Sequence, residues 1–165
     1  MKILMTGFEP FGGETVNPSL QAVERMTLNR PDVLLVKGRL PVVFGEALMV
    51  LENLVSEHLP DVVICVGQAG GRTQMTVERI GINVDDARIE DNAGYAPVDM
   101  PIKASAPDAY FSNLPIKAMV HEMKQKGLPA SVSNSAGTFV CNHVLYGLMH
   151  LIAQKYPHMK GGFIH

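Results

Sequence analysis

Net charge, long apolar runs and cysteine are all scarce in this 165-residue sequence, and each shortage excludes something. Lys and Arg number 14 against 16 Asp and Glu, a formal charge of −2, and the basic residues are scattered. That leaves no electrostatic footprint for nucleic acid or for an anionic membrane surface, so neither is expected as a partner. No apolar stretch approaches the roughly 20 residues needed to span a bilayer. The opening MKILMTGF carries one Lys and a short apolar run before Gly7, which is not a signal peptide. Only two cysteines are present, Cys65 and Cys141, too few for a disulfide framework. A reducing, cytoplasmic setting is the expectation.

What is present is an ordinary globular balance, 47% hydrophobic and 18% charged, in one domain spanning 1–165. Short apolar runs alternate with amphipathic stretches. Strands are predicted at Lys2–Thr6, Val33–Val36, Asp61–Val66, Ala130–Ser133 and Gly162–His165, with Met75–Val84 a strand or hairpin arm. Helices are predicted from the Asn17-Pro18 cap through Thr27, at Phe44–His58, Ile116–Lys126 and Cys141–Tyr156. Asp85–Pro107 is a long Pro- and Gly-containing excursion, more functional than structural in character. The alternation predicts an α/β three-layer sandwich, a mostly parallel central sheet flanked by helices.

Cys141 follows the small-residue loop Ser133–Thr138 and opens a predicted helix. Free N–H groups and the positive helix end would lower its pKa and hold an oxyanion. The competing reading is a small buried hydrophobe. Cys65, inside DVVICV, reads as inert core. His165, in GGFIH, is preferred over His143 as a base, because two residues along a helix point away from Cys141. His58, His121, His150 and His158 look like surface or cap residues. Glu78 could orient the imidazole, although spacing alone favours a surface strand residue paired with Arg79.

The glycine turns Thr6–Gly13 and Gly67–Thr73 do not bind phosphate: the second lacks a Lys-Ser/Thr pair, and the first has Pro and Phe among its glycines. No His or Cys spacing suits a metal. Neither metal nor organic cofactor is expected.

The run Gly67–Asn83 (GQAGGRTQMTVERIGIN) closely resembles the first signature of the pyroglutamyl peptidase I family, the pyrrolidone-carboxylate peptidases. Ser133–Asn142 (SNSAGTFVCN) resembles the second, and Thr6–Gly13 and Asp86–Ile89 match as well. The resemblance implies a thiol exopeptidase that removes an N-terminal pyroglutamyl residue from peptides. It implies Cys141 as nucleophile, His165 as general acid and base, Glu78 as orienting carboxylate, and Arg88 with the Cys141 N–H as oxyanion donors. Phe8, Phe11, Ile89, Phe139 and Val140 would surround the lactam ring, with Gln68 and Asn17 as polar contacts. A homotetramer is implied too. A flat, neutral lactam predicts an aromatic pocket with a few amide partners and no charged residue.

Relatives of this family continue past the matching histidine, so the sequence is expected to lack their C-terminal segment, leaving the strand at Gly162–His165 uncovered. A non-catalytic binder of pyroglutamyl N-termini is the alternative to the enzyme.

Overall fold

The computed structural model describes residues 1–165. β1 (Lys2–Phe8) is buried over its last five residues. It pairs in parallel with β2 (Leu34–Leu40) on one side and β3 (Val62–Val66) on the other. Next to β3 lies β8 (Lys160–Ile164), parallel to it from Val62↔Lys160 to Val66↔Ile164. β4 (Met75–Glu78) is antiparallel to β8, and β7 (Ala130–Ser133) is parallel to β4. The sheet order is therefore β2-β1-β3-β8-β4-β7. The expected α/β sandwich with a mostly parallel sheet is what forms.

Each face carries two helices. α2 (Glu46–His58) and α4 (Val140–Lys155) bury Leu51, Val55, Val144 and Leu148 against Leu4, Val63 and Phe163. A fully buried side chain of that size stabilises by about 1.5–3 kcal/mol, so this cluster dominates the core. On the other face α3 (Ile116–Gln125) packs through Val120 on Val77 and Ala130. α1 (Pro18–Arg25) approaches β1 so closely that a Cβ on Gly7 would lie 2.5 Å from the Leu20 Cα. Asn17 caps α1 with its side chain, as the Asn-Pro pair predicts.

Several boundaries differ from expectation, each for a local reason. The first helix stops at Arg25 rather than Thr27, because the chain turns extended at Met26. β2 runs past Val36 to Leu40: the polar Lys37-Gly38-Arg39 conceal a strand held by the full register of β1. The stretch 75–84 divides into β4 and β5 (Ile80–Ile82), which pairs with β6 (Ala109–Phe111). The sequence reading missed β6, whose three residues carry too little pattern to find. This pair closes the base of the excursion, which is secured inside by the Asp85↔Met100 bridge. The last strand is not uncovered as expected: Gly161–Ile164 of β8 are buried between β3 and β4. No helix is long and apolar enough to cross a membrane.

Candidate active site

The antiparallel β4–β8 pairing aligns the first two functional groups. Thr76 and His165 exchange both backbone hydrogen bonds, so they stand opposite one another. Glu78, two residues beyond Thr76, projects to the same face. Its Oε1 lies 2.8 Å from His165 Nδ1, with side chains 0% and 3% exposed. A charged carboxylate only accepts, so Nδ1 carries the proton and Nε2 is left as the lone-pair nitrogen. Burial raises the Glu78 carboxyl, but His165, Ser133 and Arg72 beside it outweigh burial and hold it below the usual glutamate value. The surface pairing with Arg79 does not form: Arg79 donates to Asn134 instead, and the partner of Glu78 is Arg72 at 2.7 Å.

Cys141 sits in the first turn of α4. Phe139 caps that helix without a side-chain hydrogen bond, so the first-turn N–H groups keep no capping acceptor. Gly137 adopts φ +78°, the left-handed conformation that bends the loop into the helix. The sequence reading expected a depressed thiol pKa, and the structure reverses it. Burial first, then the Glu78 carboxylate, push Cys141 up to about 12, with only Arg72 drawing it down. Cys65 is wholly buried and likewise pushed up to about 12. Gly67 lies against Cys141: a Cβ there would be 3.0 Å from its Sγ and 2.7 Å from the Phe163 ring.

A cavity of about 680 Å³ opens onto Cys141 and His165. It is lined by Phe8, Phe11, Phe139, Val140 and Ile89, with Gln68, Asn17 and Arg88 also at its wall. The structure thus brings every predicted site residue except Glu78 to one cavity, and Glu78 stands directly behind His165. Phe139 meets Phe11 at 6.3 Å and Phe44 edge-on at 5.3 Å between ring centroids. Arg88 is exposed and forms no ion pair, leaving its guanidinium available. Asn17 is largely committed: Oδ1 accepts from Ser19 N and Oγ, and Nδ2 donates to the Glu9 carbonyl. The wall is not free of charge as expected, since Asp86, Arg72 and Arg88 share it.

Sequence reasoning missed the residues that fix these walls to one another. Thr138 Oγ1 donates to the Asp86 carbonyl at 2.7 Å, and Asp86 N donates back to the Thr138 carbonyl. Asn142 grips the backbone of Ile82 and Val84. His143 does point away from Cys141, yet it is buried, 2.8 Å from Asp85 and accepting from Gly45 N at 3.1 Å. The string Cys-Asn-His thus faces the cavity with its first member, holds the end of β5 with its second and ties down the excursion with its third. Runs of polar residues at a helix start were the available signal. No group of three or more His, Cys, Asp or Glu is arranged to hold a metal ion.

A family model described as pyroglutamyl peptidase matches residues 1–165. A pyrrolidone-carboxylate peptidase of Streptomyces coelicolor is 58% identical over 165 residues, covering 99% of this chain and 76% of that protein. One from Thermosipho africanus is 56% identical, covering 100% of this chain and 80% of its own length. The crystal structure of pyroglutamyl peptidase I from Bacillus amyloliquefaciens superposes with a TM-score of 0.96 at 53% identity. That superposition covers 99% of this chain and 80% of the other.

Proposed function

The chain belongs to the pyroglutamyl peptidase family, and on that premise we propose that it is a cysteine peptidase hydrolysing the amide bond after an N-terminal pyroglutamyl residue. The observation that carries the reading is the shared cavity of Cys141 and His165, with Glu78 buried 2.8 Å behind the imidazole.

The chemistry follows from the geometry. With Nδ1 held by Glu78, Nε2 of His165 takes the Cys141 proton as the sulfur attacks the carbonyl carbon. The developing oxyanion meets the Cys141 N–H at the uncapped helix start and the free Arg88 guanidinium. Collapse breaks the C–N bond, and the leaving amine takes the proton from His165. Nε2 then accepts a proton from water as it attacks the thioester, releasing pyroglutamate and restoring the thiol.

Specificity resides in the Phe8, Phe11, Phe139, Val140 and Ile89 wall, which suits a flat lactam, with Gln68 and the spare Nδ2 proton of Asn17 for its amide. An ordinary charged N-terminus would lose its hydration against those rings. Turnover of a fluorogenic pyroglutamyl amide tests the proposal; absence of turnover by folded protein refutes it.

The cytoplasm is the proposed location, consistent with two unpaired thiols. A homotetramer is proposed with it, for which the exposed Tyr95, Val98, Met100 and Phe111 supply apolar contact surface. Light scattering on the purified protein checks the assembly, and a monomer at micromolar concentration refutes it.

A further inference from the structure

We propose that Arg72 is a positioning residue that keeps Glu78 charged and aligned, so that His165 can stand neutral as a base. The inference rests on the peptidase reading of the site.

One guanidinium joins three parts of the site. Arg72 Nη1 donates to Glu78 Oε1 at 2.7 Å and to Thr76 Oγ1, and Nη2 donates to the Ser135 carbonyl at 3.1 Å. Glu78 on β4 is thereby tied to the loop that leads into Cys141. His165 Nδ1 uses the same carboxylate oxygen, while Oε2 receives no hydrogen bond. Arg72 and His165 therefore converge on one atom, and neither can shift without moving the other's acceptor.

Charge balance gives this contact its meaning. A base-competent imidazole is neutral, which leaves a net negative charge on Glu78, a side chain with no solvent exposure. Such a charge is heavily penalised unless a cation sits beside it. The groups facing Glu78 are Thr76 on its own strand, Ser133 on β7, His165 just past the end of β8, Cys141 on α4 and Arg72 from the loop after β3. Among them only Arg72 carries a permanent positive charge. Arg79, the next residue along, is turned to Asn134.

Arg72⁺, Glu78⁻ and neutral His165 sum to zero. Proton transfer from Cys141 to His165 adds one positive and one negative charge and preserves that sum. Without Arg72 the resting site would be negative, and taking a proton onto His165 or Glu78 would relieve it. Either event disables the base, so loss of the cation must carry the acid limb of the activity profile to higher pH.

The test compares kcat/KM for a pyroglutamyl aminocoumarin amide from pH 5 to 10 in wild type, Arg72→Met and Arg72→Lys. Iodoacetamide alkylation of Cys141 over the same range, in a Cys65→Ala background, reads the same limb without turnover. Arg72→Met is expected to raise the acid limb by about one pH unit, the order set by removing a unit charge from the carboxylate that partners His165. Arg72→Lys retains the charge, so its limb should stay within about 0.3 unit of wild type. Its rate should still fall, because one ammonium cannot reproduce the fork. If Arg72→Met does not fold, Arg72→Gln keeps hydrogen-bonding capacity without charge and must show the same rise. A folded neutral variant whose limb coincides with wild type overturns the proposal, whatever its rate. An inactive wild type would refute the peptidase reading alone, since alkylation still locates the limb.

Discussion

His165 and Glu78 are joined by a single 2.8 Å contact in which a wholly buried carboxylate fixes the ring's tautomer. Glu78→Gln preserves shape but removes the charge that stabilises the imidazolium and dictates which nitrogen is protonated. We expect kcat to fall by at least ~100-fold with little change in KM, as for other orienting carboxylates. Steady-state kinetics on the fluorogenic amide decide it; a loss smaller than fivefold would contradict the assigned role.

The two thiols should behave oppositely. Cys141→Ala removes the attacking atom and should abolish turnover. Cys65→Ala, in the core beneath Thr6, should leave kcat within about twofold while costing about 1 kcal/mol of stability, roughly one buried sulfur-sized group. Reversal of that pattern would mean the assignment is wrong.

Gly67→Ala probes the space in front of the sulfur. Its Cβ would enter between the Phe163 ring and Cys141 Sγ, at 2.7 and 3.0 Å. Overpacking of this kind costs about 1–3 kcal/mol. We expect a lower melting temperature and at least ~10-fold slower turnover, and wild-type activity would show that the ring yields more readily than its burial implies.

Arg88→Met tests the oxyanion assignment. Arg88 has no ion pair to lose, so the fold should be unaffected while kcat drops by about 10²-fold, the usual cost of one oxyanion donor. A change confined to KM would move Arg88 from transition-state stabilisation to substrate binding.

Stability should decline in alkali. Both thiols are raised from 9.0 to about 12 in the folded chain. Between those values the native state holds protons that the unfolded state has lost, so unfolding is favoured as pH rises. Urea midpoints should be flat up to about pH 8 and fall from about pH 9 upward. Cys65→Ala should flatten that fall by roughly half.

How far the sequence revealed this protein depended on the range of the interactions involved. Asn17-Pro18 announced a helix start because capping is local, and DVVICV announced a strand because its apolar run is contiguous. Glu78 was misleading for the opposite reason. Its neighbour in sequence is Arg79, while its partners lie six and 87 positions away at Arg72 and His165. The direction of the Cys141 shift escaped as well, since helix position is visible in a sequence but desolvation depends on what folds over the sulfur. His143 is turned away from Cys141, as its place on the helix implies, but nothing nearby in the chain disclosed Asp85 as its companion.

The sheet order also bears on how the chain reaches its folded state. β3 and β4 are neighbours in sequence, yet β8 is wedged between them, made some eighty residues later than β4. Until that strand arrives, each presents a bare row of amide donors and acceptors, open to pairing with other nascent molecules. Inclusion bodies on rapid expression, relieved by slower synthesis at low temperature, are the expected consequence of setting His165 at the end of the strand that arrives last.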